Sequence, residues 1–202
     1  MQIHTSPTSP YSRKVAILVA LADLPSVEWV VSKPLETPAL RSLNPLGKIP
    51  VLVDGDQTLY DSSLICEYLD DCHMRSGGRS FFGKGSADYY VWQQYHYLAN
   101  GLLDAAVAMV MEGRREPAQR SPFWMARWQI AVEAAVAAIP PAILGEDRQL
   151  NIAGIATACA LGYLAFRLPQ ISVATLNPSL HQWYGQLAAQ AWFAASTPCD
   201  PV

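Results

Sequence analysis

The segment Ser9-Pro10-Tyr11-Ser12 places hydroxyl groups at the start of a predicted helix. Pro10 stands where a first helical residue would be. The unbonded N–H groups and the positive end of the helix dipole favour an anion there. A thiolate is such an anion, and Ser9 could donate a hydrogen bond to it, with Ser6 and Ser12 as competing hydroxyls. Capping the helix is the commoner role of a serine here, and the local pattern leaves both roles open.

Two further segments carry groups that suit an amino-acid-like ligand. Pro50 opens the apolar run 49–53. A proline at the start of a buried strand is either trans, the commoner case, or a cis turn that exposes the backbone of Ile49 to an extended peptide. Asp61-Ser62-Ser63 precedes another helical pattern, where hydroxyl and N–H groups suit a carboxylate and the acid suits an ammonium. A simple cap is again the commoner explanation.

Short strands and helices must position these segments, and the pattern alternates them up to about Cys72. Thr37-Pro38 resembles an N-cap followed by a first-turn proline, and Ser62 and Ser63 are suited to cap the next helix. The order predicts a small mixed sheet with helices packed on it. The predicted strands are 1–5, 27–31, 49–53 and 58–60, and the predicted helices are 10–22, 38–44 and 64–72.

The second half of the chain shows helical patterns alone. Turn-rich residues fill 75–86, apolar residues recur at helical spacing in 87–111, and Ser121-Pro122, Asn151 and Asn177-Pro178 are predicted to begin further helices. Gly154 stands where a capping-box acid would support Asn151, so we expect Gly154→Asp to stabilise the protein. The predicted division is 1–76 for an α/β domain, 77–85 for a linker and 86–202 for an all-helical domain.

Composition and charge exclude several classes of protein. The chain has 202 residues, of which 51% are hydrophobic and 15% charged, which fits one large or two small globular domains rather than a disordered chain. A net charge of −3 without a long basic run argues against nucleic acid as the main partner. The cysteine spacing predicts reduced thiols and no metal site. With no signal peptide or membrane span visible, we expect a cytoplasmic protein without membrane contact.

The chemistry-bearing segments, in this order and spacing, resemble the glutathione transferase superfamily, and the resemblance covers the whole chain. Ser9-Pro-Tyr-Ser12 stands where glutaredoxins carry Cys-Pro-Tyr-Cys, and Lys48-Ile-Pro-Val-Leu52 matches the segment around the family's cis-proline. Asp61-Ser62-x-x-Ile65-x-x-Tyr68-Leu69 matches its (Glu/Asp)-Ser glutathione motif, and 151–155 lies at its helix-capping motif. The tail 183–198 resembles bacterial-type members. The implied fold is an α/β thioredoxin-like N-terminal domain followed by an all-α C-terminal helical bundle.

The resemblance also implies roles for individual residues. Ser9 aligns with the catalytic serine of theta-like classes and with the catalytic cysteine of omega-like ones. The electrophile would lie between Tyr11 and the second domain. The candidates to line its pocket are Tyr97, Ala106 and Met109, although such a stripe on a bundle helix more often belongs to the core. The implied glutathione-binding residues are Asp61 and Ser62 for the γ-glutamyl group, Ile49 and Pro50 for the cysteinyl backbone, and Lys48 for the glycyl carboxylate.

The implied activity is the attack of a serine-activated glutathione thiolate on a small electrophile. Glutathione would be the co-substrate, and no metal would be needed. Two alternatives stay open: a glutathione-dependent peroxidase, and a non-catalytic glutathione-binding or interaction protein on the same fold. We also expect a symmetric homodimer, in which the first domain of one chain contacts the helix 87–111 of the other.

Overall fold

The first part of the chain folds around a four-stranded sheet. The computed structural model describes residues 1–24, 27–34 and 36–200. Its strands are β1 (Gln2–Thr5), β2 (Glu28–Val31), β3 (Val51–Asp54) and β4 (Gln57–Tyr60), in the spatial order β2-β1-β3-β4. β1 runs parallel to β2 and antiparallel to β3, and β3 runs antiparallel to β4. The two central strands, β1 and β3, supply fully buried core residues, which are Ile3, Val51 and Leu52.

Three helices accompany the sheet: α1 (Pro10–Ala22), α2 (Leu40–Leu43) and α3 (Ser62–Arg75). α1 packs against α3 through apolar residues at helical spacing. The predicted thioredoxin-like α/β fold of the first part is thereby confirmed. Fully buried members of this packing are Val15 and Leu18 on α1 and Ile65 and Leu69 on α3.

The predicted start of α2 is wrong. The carbonyl oxygens of Thr37 and Pro38 accept from the N–H groups of Leu40 and Arg41, three residues further on in each case. These bonds close turns rather than α-helical loops, so the α-helix itself begins at Leu40. Ala39, which precedes it, has no side chain that could cap it.

The part of the chain after Gly85 is helical, as predicted, and its described residues contain no strand. α4 packs against both α5 and α6, and α6 is buried from Ile152 to Leu164. None of the helices in the described ranges has both the length and the apolar character needed to cross a bilayer. The helices are α4 (Tyr89–Gly113), α5 (Pro122–Ala138), α6 (Ile152–Arg167), α7 (Val173–Leu176), α8 (Pro178–Ala188) and α9 (Ala191–Ala194).

Asn151 caps α6 as predicted, but the expected stabilisation by Gly154→Asp is wrong. Asn151 Oδ1 accepts the N–H of Gly154 at 2.9 Å, and Nδ2 donates to the Ile143 carbonyl at 2.6 Å. A Cβ atom at position 154 would collide with the Leu144 carbonyl oxygen. Glycine is therefore required here because a neighbouring backbone passes too close for any side chain.

The chain divides into two compact units, Met1–Lys84 with Trp192–Val202, and Gly85–Ala191. The sequence-based division differs, because it assigned 86–202 to the helical domain; residues 201 and 202 of that range lie outside the described part. Arg13 of α1 explains the difference. Its Nε donates to Ser196 Oγ at 3.2 Å, and its guanidinium lies over the Phe193 ring, 4.4 Å from the centroid.

Asp70 ties the predicted linker region to α3. Its carboxylate is fully buried, accepting the N–H of Phe81 at 2.6 Å and the hydroxyl of Ser80 at 2.8 Å. Burial raises the pKa of Asp70 above its ordinary value. Lys84 adds ion pairs to Asp71 at 2.6 Å and Glu67 at 3.2 Å. The residues that follow α3 are thus held against the first unit.

Candidate functional site

One edge of the sheet collects the ends of three strands. His4 pairs with Val51 across antiparallel β1 and β3, so the turn after β1 lies beside the residues that precede β3. Val51 also pairs with Tyr60 across β3 and β4, so the chain leaves β4 at the same edge. The three segments selected from the sequence therefore meet here: the turn to Ser9, the Ile49–Pro50 peptide, and Asp61 with Ser62.

Ser9 is the N-cap of α1. Its backbone is extended (φ −85°, ψ 118°), and its Oγ accepts the N–H of Ser12 at 3.1 Å. The hydroxyl proton of Ser9 has no acceptor among residues 1–24, 27–34 and 36–200. Of the competing hydroxyls, Ser6 bonds the Thr8 hydroxyl at 3.1 Å, and Ser12 is buried. Ser9 therefore serves as a cap and can still donate to a ligand.

The Ile49–Pro50 peptide bond is cis, as the resemblance implied. Asn44 shapes the preceding loop, because its Nδ2 donates to the Lys48 carbonyl at 2.9 Å and its Oδ1 accepts the N–H of Leu46 at 3.0 Å. Within the described ranges, the N–H and C=O of Ile49 make no backbone hydrogen bond. The Ile49 backbone is thus available to an extended ligand. The sequence marked Asn44 only as a helix end, so its role in the loop was missed.

Asp61, rather than Ser62 or Ser63, is the N-cap of α3. Its Oδ1 accepts the N–H of Ser63 at 2.6 Å, which makes Ser62 the first helical residue and corrects the predicted cap. Asp61 has φ 59° and ψ 140°, a region that side-chain-bearing residues rarely adopt and that costs roughly 1–3 kcal/mol. Its Oδ2 has no partner in the described chain, so this exposed carboxylate can accept an ammonium.

Lys14 is a buried cation that links α1 to the first turn of α3. Its side chain is fully buried, and Nζ donates to Ser63 Oγ at 3.2 Å. The bond helps to set the separation of the two helices whose caps are Ser9 and Asp61. Lys14 lies four residues before Leu18, on the apolar face of α1, and a charge on that face was the sequence signal that could have revealed it.

The electrophile candidates on α4 do not share one surface. Tyr97 is exposed, whereas Ala106 and Met109 are buried in the core of the second unit. Tyr97 and Ala106 are nine residues apart, roughly two and a half helical turns, which places them on opposite sides of α4. The core position given as the alternative therefore describes Ala106 and Met109. Tyr11 is partly buried in the first turn of α1.

A cavity of about 300 Å³ in the second unit offers different chemistry. The cavity is lined by Glu146, Asp147, Trp183, Gln186, Leu187 and Gln190. None of these residues carries a hydroxyl or thiol group, so the cavity lacks the hydroxyl donor that Ser9 provides at the sheet edge.

Across the part of the chain that the structure describes, no group of three or more His, Cys, Asp or Glu residues is placed to hold a metal ion.

Residues 8–72 match the family described as "Glutathione S-transferase, N-terminal domain". This range contains all three segments of the sheet edge. Over the whole chain, the "Uncharacterized GST-like protein YibF" of Escherichia coli K12 is 27% identical across 203 residues, which is 98% of each sequence.

Solved structures of similar proteins cover both compact units. A glutathione transferase family member from Pseudomonas fluorescens Pf-5, with bound glutathione, is 32% identical with a TM-score of 0.88, covering 100% of this chain and 99% of its own. The same protein with bound S-(propanoic acid)-glutathione is 33% identical with a TM-score of 0.86, covering 100% of both chains. A glutathione S-transferase from Methylobacillus flagellatus KT, with GSH bound, is 32% identical with a TM-score of 0.86, covering 98% and 99%.

Proposed function

The chain belongs to the glutathione transferase superfamily, and from this premise we propose that it binds glutathione at the sheet edge and activates the thiol through Ser9. The observation that carries the proposal is the strand register, which brings Ser9, Ile49 and Asp61 to one edge. The relatives solved with glutathione support the same ligand class. The proposed activity follows from a hydroxyl that can still donate its proton while its oxygen accepts the N–H of Ser12.

Each part of glutathione has a proposed partner with matching chemistry. The free Oδ2 of Asp61 accepts the γ-glutamyl ammonium, and the first turn of α3, with Ser62, binds the γ-glutamyl carboxylate. The cysteinyl backbone pairs with the N–H and C=O of Ile49, which make no backbone hydrogen bond within the described ranges. The exposed Lys48 ammonium binds the glycyl carboxylate.

The energetics of thiol activation are within reach of one serine. A free thiol has a pKa of about 8.5, and lowering it by two units takes about 2.7 kcal/mol of preference for the anion. A hydrogen bond to a charged group supplies roughly 1.5–3 kcal/mol, and the start of a helix adds roughly 0.3–1 kcal/mol. Ser9 lies at such a start and so supplies most of the required preference.

We propose a small electrophile as the second substrate. S-(propanoic acid)-glutathione, found in the Pseudomonas fluorescens relative, is a glutathione whose sulfur carries an alkyl acid, the kind of product that thiolate addition gives. Rates measured with a panel of aryl halides, epoxides, enones, acrylic acid and hydroperoxides identify the class. Turnover of hydroperoxides alone would instead support the peroxidase alternative.

The test of Ser9 is a pH–rate profile of Ser9→Ala. Losing a hydrogen bond to the thiolate predicts a roughly 10- to 150-fold lower rate near pH 7, with glutathione binding largely retained. The deficit should shrink as the pH approaches about 9, where the thiol ionises unaided. Ser121→Ala is the matched control, because Ser121 caps α5 by the same type of bond, from the N–H of Trp124 at 3.4 Å.

The same measurement separates the alternatives. Full activity in Ser9→Ala together with loss in Ser6→Ala or Ser12→Ala would move the catalytic role to that serine. If all three variants match the wild type, the hydroxyl mechanism is wrong. If the wild type binds glutathione but turns over no member of the electrophile panel, the non-catalytic binding protein becomes the better description.

We also propose that two chains form a symmetric dimer. Tyr90 and Tyr97 on α4 are 81% and 63% exposed, and Leu64 on α3 of the first unit is 48% exposed. Apolar side chains exposed to this extent on both proposed faces favour coverage by a second copy. Sedimentation should give twice the mass of one chain, and Leu64→Asp should lower it to that of one chain. A wild type sedimenting as one chain at micromolar concentration would contradict the dimer.

A further inference from the structure

The guanidinium of Arg13 is contacted on one edge and one face by the C-terminal segment, which is the part of the first unit that begins at Trp192. Arg13 lies on α1, one turn beyond Ser9, and is only 5% exposed. Its Nε donates to Ser196 Oγ at 3.2 Å, and its Cζ lies 4.4 Å from the centre of the Phe193 ring. The Ser196 hydroxyl donates in turn to the Phe193 carbonyl at 2.8 Å. These contacts fix the plane of the guanidinium.

The outer edge of the same guanidinium has donors to spare. Nη1 and Nη2 of Arg13 are buried, and neither has a hydrogen-bond partner among residues 1–24, 27–34 and 36–200. Arginine does not lose its proton in proteins, so the charge cannot be removed by deprotonation. A buried charged group whose terminal N–H groups lack acceptors is unfavourable. Two parallel N–H donors match the two oxygens of a carboxylate or one face of a phosphate.

We propose that Arg13, oriented by Ser196 and Phe193, is a buried binding site for a small oxyanion, a carboxylate or a phosphate group. The anion accepts from Nη1 and Nη2, while Nε stays with Ser196. Neither Arg13 nor its two contacts in the C-terminal segment is among the residues assigned to glutathione. The proposal therefore stands or falls independently of the proposed transferase activity.

The test compares thermal unfolding of the full chain in one common buffer, at equal pH and ionic strength, with chloride, acetate or phosphate as the added anion. At anion concentrations about ten times Kd, the wild type should melt roughly 3–6 °C higher with an oxyanion that binds than with chloride. Arg13→Met should lose this increase and, in chloride, should melt no lower than the wild type, because it removes an unsatisfied buried charge. Ser196→Ala should reduce the increase, because Nε loses its partner.

Arg127→Met is the control for general salt effects, since Arg127 is exposed on α5. It should keep the full increase. Titration calorimetry of acetate and phosphate into the wild type gives a second measure that needs no variant to fold. A response to only one of the two anions supports the site and identifies its ligand class.

Two outcomes would overturn the proposal. Equal shifts in the wild type and Arg13→Met would mean that the anions act on the protein in general. No anion effect on the wild type, with Arg13→Met melting well below it, would mean that the chain itself satisfies the guanidinium and that Arg13 only holds the C-terminal segment.

Discussion

Ser9 and Asn151 occupy the same position in two helices, the N-cap of α1 in the first unit and of α6 in the second. Each side chain accepts a backbone N–H three residues further on, from Ser12 at 3.1 Å and from Gly154 at 2.9 Å. Ser9 is partly exposed, and its hydroxyl proton has no acceptor among the described residues. Asn151 is only 3% exposed, and its Nδ2 already donates to Ile143.

This difference shows that an N-cap by itself does not identify a functional site. Both caps satisfy an N–H group that the helix leaves without an internal partner. The cap on α6 donates and accepts through its amide and is buried by packing, so a ligand cannot reach its remaining hydrogen-bonding groups. The cap on α1 keeps a donor and some exposure. We infer that an accessible hydrogen-bonding group left over after folding distinguishes the helix start that is proposed to be functional from the structural one.

The largest effect should come from Asn151→Ala. The substitution leaves the Gly154 N–H and the Ile143 carbonyl without their partners in a buried setting, and each such loss costs about 1–3 kcal/mol. We expect the free energy of unfolding to fall by about 2–6 kcal/mol, measured by denaturant titration. A loss below about 1 kcal/mol would make the two caps energetically alike and remove the basis of the comparison.

Gly154→Ala should be the next most damaging change. The added Cβ meets the Leu144 carbonyl oxygen, a backbone atom that cannot swing aside, so we expect a loss of roughly 1–3 kcal/mol. Gly185→Ala on α8 is the matched control, because a Cβ there meets nothing within 4 Å. The control should gain roughly 0.5–1 kcal/mol from helix propensity. Equal changes at the two glycines would show that close packing is not what requires Gly154.

Ser9→Ala should affect stability less than Asn151→Ala, in spite of its large expected effect on rate. It removes one cap bond at a partly exposed helix start, which costs about 0.5–2 kcal/mol. Ser9→Asp sharpens the distinction, because it keeps a capping oxygen and adds a negative charge beside the thiolate. We expect Ser9→Asp to melt near the wild type and to lose the proposed transferase activity. Retained activity in this variant would contradict the donor role of Ser9.

The smallest effect should appear as opposite pH responses of the two units. The Ser121 N–H donates to Glu112 Oε1 at 2.7 Å and holds the pKa of Glu112 below its ordinary value of 4.5. The contribution of Glu112 to the free energy of unfolding is therefore present above about pH 4.5, and it is lost as the pH falls through the pKa of the folded state. The pKa of Asp70 is raised above its ordinary value of 3.8. The contribution of Asp70 to the free energy of unfolding is therefore largest below about pH 3.8, and it is lost as the pH rises through the pKa of the folded state.

Acidification from about pH 6 should therefore reduce amide-exchange protection around α4 and α5 relative to α3. Glu112→Gln should abolish the loss of amide-exchange protection in the second unit. Asp70→Asn should abolish the relative gain of protection in the first unit. Parallel changes in both units, after correction for intrinsic exchange rates, would show that these two carboxyl groups do not set the difference.

Local patterns in the sequence determined most of the elements and several of their ends. The apolar spacing predicted α1 at 10–22, where the structure has it, and residue type alone marked the caps Ser9, Ser121, Asn151 and Asn177. These features could be predicted because helix periodicity and N-capping involve residues three or four positions apart. The order and spacing of three short motifs also indicated the family and the edge of the sheet where glutathione is proposed to bind.

Only the tertiary structure decided which of these groups keep hydrogen-bonding atoms without a partner after folding. Asp61 displaced the predicted caps of α3 by adopting a positive φ, and Gly154 turned out to be required by the backbone of Leu144. Lys14 became a buried link to Ser63, and Arg13 drew the C-terminal segment into the first unit. These outcomes depend on which backbone and side-chain atoms approach one another from distant parts of the chain, and no local pattern encodes that approach.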